Sequence, residues 1–201
     1  MAGLCMNLPN KLTLSRMVLT VAFLAAIFSE TRFGDTLALL FFSAAGLTDY
    51  FDGKIARRDK LITNFGVLMD PLADKILVCS AFIAFVGLKL MPAWMVVIIV
   101  ARELAITGLR LLASTKQVVL AAEGYGKHKT ISQIVAILAV LVLASYANWG
   151  PPGRLIFGFN LFGGPWVVWF AELSKWVAVL LTFLSGAIYL WRNRNLYVND
   201  L

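Results

Sequence analysis

The sequence predicts an all-α polytopic membrane protein, a six-helix transmembrane bundle with both termini in the cytoplasm. Three observations carry that prediction. Of the 201 residues, 60% are hydrophobic and only 14% charged, where a soluble domain has about 45–50% and about 25%. The mean hydropathy is +0.82. Apolar residues also collect into six stretches near the length of about 20 residues that crosses a bilayer as a helix.

The first stretch runs from Leu12 to Phe28 and the second from Thr36 to Asp52, with Gly34 marking the turn between them. The third, Val67 to Leu88, and the fourth, Trp94 to Ala113, are separated by Lys89, Leu90, Met91, Pro92 and Ala93. The fifth spans Ile131 to Tyr146. After it comes the longest irregular segment, Asn148 to Pro165, rich in Gly and Pro and carrying Phe157, Phe159 and Phe162. This segment is expected to lie as an outer loop at headgroup depth, where aromatic side chains gather. The sixth stretch, Trp166 to Trp191, stops at Arg192 and Arg194. Spans so closely joined leave no room for a soluble domain, so residues 1–201 are expected to form one membrane domain. Cys5 and Cys79 have neither disulfide-framework nor metal-ligand spacing.

A net charge of +7 would suit a nucleic-acid binder, but the cations are sorted by side. Lys11, Lys54, Arg57, Arg58, Lys60, Lys116, Lys127, Lys129, Arg192 and Arg194 fall in connections on one side, and only Arg32, Lys89 and Arg154 on the other. The positive-inside bias places the 53–66 and 114–130 connections and both termini in the cytoplasm. The excess charge is then mostly topology, and no nucleic acid is expected.

Ionisable side chains inside spans cost about 2.5–3.5 kcal/mol each on insertion scales and by default mark function. Asp49 and Asp52 end the second stretch, three residues apart and on one helix face. Asp70 and Asp74 open the third, four residues apart and again on one face. A short Gly53 to Met69 segment would make the two helices antiparallel neighbours, with all four acids in the cytoplasmic third of the membrane. Four carboxylates so close repel unless protonated or neutralised by a cation. All-oxygen ligation suits Mg²⁺, Mn²⁺ or Ca²⁺ and not zinc. Two divalent ions sharing carboxylates are the usual device for in-line phosphoryl displacement. Gly53, Ala56 and Gly66 leave room for close helix approach and for a ligand against the backbone.

The segment Asp49-Tyr-Phe-Asp52-Gly53-Lys-Ile-Ala56-Arg57, followed after eight residues by Gly66, then Asp70 and Asp74, resembles the signature of the CDP-alcohol phosphatidyltransferase family. All eight defined positions, spread over residues 49–74, agree. The resemblance implies that Asp49, Asp52 and Asp70 hold two metal ions, Mg²⁺ or Mn²⁺. Asp74 would be the general base and would also touch a metal. Gly53, Ala56 and Arg57 would line the CDP site. The opening Asn7-Leu-Pro9-Asn10-Lys-Leu-Thr13-Leu-Ser-Arg16 is similar to the branch that forms phosphatidylglycerophosphate, in which Asn10 and Thr13 would help hold the nucleotide. Ala101-Arg102-Glu103, Leu109-Arg110 and Gly126-Lys127-His128-Lys129-Thr130 resemble segments of that branch too. Beyond Thr130 only the helix pattern is shared.

The resemblance thus implies transfer of a phosphatidyl group from CDP-diacylglycerol to glycerol 3-phosphate, by a homodimer in a bacterial cytoplasmic membrane, with its active site facing the cytoplasm. The acceptor also has a reason in the residues. Arg110 ends the fourth stretch, and Lys127 with Lys129 opens the fifth, so three cations come beside the acids. A phosphorylated acceptor needs such a pocket. Arg102 and Glu103 fit a structural pair inside the bundle as well as a substrate role. Other readings keep the acids but change the chemistry: inositol phosphate or phosphatidylglycerol as acceptor, an intramembrane prenyltransferase, or a cation pathway. A cation pathway would spread its acids over the membrane depth, and these lie at one side.

Overall fold

A backbone in lipid must satisfy its own hydrogen bonds, so apolar stretches of this length become helices. The computed structural model describes residues 8–59, 64–116, 125–161 and 163–198. For 8–13, 49–59, 64–71, 74, 115, 125–127, 195 and 198 it describes the helix and not the side chain. The helices are α1 (Leu8–Ile27), α2 (Gly34–Asp59), α3 (Asn64–Gly87), α4 (Ala93–Thr115), α5 (Tyr125–Ser145), a short α6 (Gly150–Phe157), α7 (Trp166–Arg192) and a terminal turn α8 (Asn195–Val198). The six long ones follow the six apolar stretches.

Two expectations need correction. First, the connection after Asp52 is mostly helix: α2 continues to Asp59 and α3 already begins at Asn64. Lys54, Ala56, Arg57 and Arg58 are good helix formers, and a helix need not stop where its apolar part stops. Second, 148–161 and 163–165 contain regular structure. A 3₁₀ turn at Tyr146–Trp149 leads into α6, and the two-residue strands Asn160–Leu161 and Gly164–Pro165 pair antiparallel. Pro151 and Pro152 sit in the first turn of α6, where a missing N–H costs nothing. Gly150 supplies the positive φ of 74° that lets the chain turn into it. The Phe157 ring lies between Trp149 and Trp166, with centroids 5.5 and 6.0 Å away. Trp149 Nε1 donates to Thr36 Oγ1 at 3.0 Å and ties this segment to the start of α2.

In the bundle α1 packs on both α2 and α3, α5 packs on α7 and α2, and α4 lies between α3 and α7. Among the described residues α2 and α3 share little surface directly; α1 and α5 each touch both. The core runs through Phe23, Phe42, Phe82, Phe85, Ile99, Ile137 and Leu141, all buried. The α1–α2 turn is close: a Cβ on Gly34 would stand 2.5 Å from Ser29 Oγ and 2.8 Å from the Ala26 carbonyl oxygen.

Charge and apolarity are distributed the reverse of a soluble protein. Val18, Leu104 and Leu173 face outward, 62%, 68% and 63% exposed, while Arg16, Glu103, Lys129 and Lys175 are buried. Such a surface is stable only where lipid replaces water. Two helical runs, His128–Phe157 and Trp166–Arg192, are long and apolar enough to cross a membrane, and Leu14–Ile27, Gly34–Thr48 and Lys75–Gly87 are shorter apolar helices.

Candidate active site

Helix register brings the predicted site residues to one end of the bundle. The rings of Phe23 on α1 and Phe42 on α2 are 5.9 Å apart. Seven residues back along α1 lies Arg16, and seven forward along α2 lies Asp49; three residues further in each direction are Thr13 and Asp52. Equal steps at about 1.5 Å per residue keep the pairs at one level. On α3, Gly87 lies against the ring of Phe28, the residue that follows α1, 3.5 Å from a built Cβ. Twelve residues back on both helices are Arg16 and Lys75, so Asp74 shares that level and Asp70 lies one turn beyond. The side chains of Asp49, Asp52, Asp70 and Asp74 lie outside the described residues, as do those of Asn10, Thr13, Ala56, Arg57 and Lys127; for Gly53 and Gly66 only the helix is described. Among the described residues no group of three or more His, Cys, Asp or Glu gathers as a metal site. Two aspartates on α2 and two on α3 thus fall within about one helical turn of one another in depth.

Beside the acids stands a polar network whose side chains are described. Lys75 Nζ, next in sequence to Asp74, donates to Thr107 Oγ1 on α4 at 2.5 Å. Thr107 Oγ1 donates in turn to the Glu103 carbonyl at 2.6 Å. The Glu103 carboxylate is buried and accepts from Arg102 Nη1 at 3.3 Å, and it forms an ion pair with Lys129 of α5. On that same α5 face, one turn along, Gln133 Nε2 donates to Thr182 Oγ1 of α7 at 3.0 Å, fully buried. Arg102 runs against Gly186, where an added Cβ would meet its Cγ at 2.6 Å. Only glycine lets α4 and α7 close over that side chain. One turn nearer the end of α7, the exposed Arg110 holds its guanidinium 5.8 Å from the centre of the buried Tyr189 ring.

Of the three predicted acceptor cations, the side chains of Arg110 and Lys129 are described and that of Lys127 is not. Arg110 lies over Tyr189, and Lys129 is inside the bundle with its charge met by Glu103, rather than in a cytoplasmic connection. Arg102 and Glu103 do pair. Sequence reasoning found nothing specific in α7, yet α7 supplies Thr182, Gly186 and Tyr189 to this network. The available signals were a glycine inside a span and an ionisable Lys175 inside the same span. Lys175 proves to be a staple at the opposite end: its ammonium donates to Glu172 at 2.6 Å and to the Leu90 carbonyl at 2.9 Å.

Apolar helices enclosing polar side chains, with paired acids at one end and cations beside them, define a helical membrane protein fitted to phosphate chemistry. Residues 6–184 match the CDP-alcohol phosphatidyltransferase family, and the chain belongs to that family. It is 39% identical over 199 residues to the CDP-diacylglycerol–glycerol-3-phosphate 3-phosphatidyltransferase of Bacillus subtilis, covering 93% of this chain and 95% of the relative. It is 43% identical over 190 residues to a probable phosphatidylglycerophosphate synthase of Mycobacterium tuberculosis, covering 92% and 81%. A Rickettsia bellii protein with the same name as the Bacillus relative is 33% identical over 183 residues, covering 91% and 93%.

Proposed function

We propose that this protein transfers the phosphatidyl group from CDP-diacylglycerol to glycerol 3-phosphate, giving phosphatidylglycerophosphate and CMP. The observation that carries this is the near full-length similarity to relatives named for that reaction in both Bacillus and Rickettsia. The complete signature from Asp49 to Asp74 supports the same chemistry.

Asp49, Asp52 and Asp70 would hold two Mg²⁺ or Mn²⁺ ions. Bound there, such ions would neutralise the pyrophosphate and stabilise charge on the leaving CMP. Asn10, Thr13, Gly53, Ala56 and Arg57 would line the CDP site. Asp74 takes the proton from the 1-hydroxyl of glycerol 3-phosphate as its oxygen bonds to the phosphorus carrying diacylglycerol. The bond from that phosphorus to the CMP oxygen breaks, and CMP departs with the electron pair. Arg57 meets the charge that develops on the departing phosphate. Arg110 and Lys127 would take the acceptor phosphate, with Lys129 acting as one member of its buried group with Glu103 and Arg102.

The same proposal includes the membrane arrangement. The six long helices span the bilayer as one domain over residues 1–201, with both termini and the acids on the cytoplasmic side of a bacterial membrane. The sorting of cations supports that orientation. The outward apolar faces of α1, α4 and α7 would meet lipid, and part of them a second copy of the chain. Purified protein incubated with Mg²⁺, CDP-diacylglycerol and one acceptor at a time, with CMP release followed, tests the function. Release should depend on glycerol 3-phosphate. Release with inositol phosphate or phosphatidylglycerol and not with glycerol 3-phosphate would overturn the assignment.

A further inference from the structure

Arg16 is among the largest fully buried side chains of the protein, 1% exposed, on a helix that otherwise buries Thr20, Phe23, Ala26 and Ile27 along the same face. That face packs on α2 and α3. An arginine cannot shed its proton in a protein, so Arg16 carries a full positive charge into the bundle. Such a charge is tolerated only opposite a compensating one. The register described above sets Arg16 level with Asp49 on α2 and with Asp74 on α3, the two helices α1 touches.

We propose that Arg16 is the built-in counter-ion of the aspartate cluster: it compensates the carboxylates while no metal is bound and yields part of that role when divalent ions arrive. The two halves of the problem solve each other. Four clustered acids repel, a buried guanidinium needs acids, and α1 delivers one to the depth of the other. A fixed positive charge there also opposes cation binding. Arg16 therefore lowers metal affinity, keeping the ions exchangeable, while it holds the empty site together.

The inference rests on the metal reading of the acids, and its test separates the two. Wild type, Arg16→Met and Arg16→Lys are purified in detergent. Thermal unfolding is measured in chelator and with Mn²⁺, and Mn²⁺ binding by electron paramagnetic resonance. In chelator, Arg16→Met should unfold well below wild type, and Asp49→Asn or Asp74→Asn added to it should restore part of the loss. Mn²⁺ should bind Arg16→Met at least about tenfold more tightly, since like charge no longer opposes it, and should close most of the stability gap. Arg16→Lys, which keeps the charge, should stay within about threefold of wild type. A purely structural arginine would lower stability equally with and without Mn²⁺ and leave affinity alone, which overturns the proposal. An unchanged metal-free midpoint and Mn²⁺ affinity, with a raised KM for CDP-diacylglycerol, also overturns it and makes Arg16 a substrate ligand. If wild type binds no Mn²⁺, the metal reading falls, and rescue by the aspartate substitutions in chelator still decides whether Arg16 is the counter-ion.

Discussion

Replacing Glu103 by Gln removes one negative charge from the buried group with Arg102 and Lys129 and changes almost nothing else in shape. Glu103 is 5% exposed and Lys129 6%, so the Lys129 ammonium finds little water to take the place of the carboxylate. Breaking a buried ion pair from one side costs about 3–5 kcal/mol. For a chain of this size each kcal/mol moves the unfolding midpoint by about 2–4 °C, so the loss should be about 6–20 °C. Lys129→Met should cost less, because Glu103 keeps Arg102 at 3.3 Å. The double variant should recover much of the Glu103→Gln loss, since it no longer strands an ammonium in the interior. The assay is thermal unfolding in detergent followed by size-exclusion fluorescence, read as a double-mutant cycle. A coupling of at least about 2 kcal/mol is expected, far above the scatter of about 0.3–0.5 kcal/mol for independent sites. Additive single effects would refute the buried pairing and return Lys129 to the set of free cations.

Chelation should abolish CMP release, and Mg²⁺ or Mn²⁺ should restore it; full activity in excess EDTA would remove the metals from the mechanism. Asp74→Asn should reduce turnover about 10²–10⁴-fold, the usual worth of a general base, while CDP-diacylglycerol still binds; more than about a tenth of the rate remaining would exclude Asp74 from that role. Arg110→Ala and Lys127→Ala should raise the KM for glycerol 3-phosphate about ten- to hundredfold, as the loss of a charge-assisted hydrogen bond predicts, with little change for CDP-diacylglycerol. Arg32→Ala and Arg154→Ala are the controls, and equal effects on both substrates would indicate damage to the fold. Lys89, at φ 58° in the turn between α3 and α4, pays the left-handed penalty of about 1–2 kcal/mol. Lys89→Gly should therefore raise the midpoint by about 1–4 °C after glycine's own entropy is counted, and a lower midpoint would show that the lysine side chain outweighs its backbone strain.

The helices were legible because lipid makes hydropathy the dominant signal: each of the six apolar stretches became a helix. Their ends were less legible. Lys54 through Asp59 reads as a polar connection by composition, yet a helix can project beyond its apolar part, and α2 does. Pro151 and Pro152 read as breakers and instead begin α6, because a proline's effect depends on whether it falls in the first turn. Among the site residues the four aspartates declared themselves as ionisable groups at span ends. Glu103 and Lys129 could each be noticed alone, but their pairing joins α4 and α5, which are brought together by the packing of both on α7. Arg16 was visible only as one letter of an opening motif. Its burial is what separates it from the basic residues that sort by side.

The buried group on α4 also bears on how the chain is made. Synthesis runs from α1 to α8, so Arg102 and Glu103 leave the ribosome before Lys129 does. An isolated α4 would bring two ionised groups towards lipid at about 2.5–3.5 kcal/mol apiece. The neighbouring Arg102 can shield Glu103 in the interim, since the two are adjacent and already in contact at 3.3 Å. Final seating of α4 has to wait for α5, whose Lys129 arrives with the long apolar run His128–Phe157 behind it. The last long helix, α7, then locks the arrangement, with Gly186 closing over the Arg102 stem. A ribosome stalled before α5 emerges should therefore leave α4 accessible to water-soluble labels that the finished protein excludes.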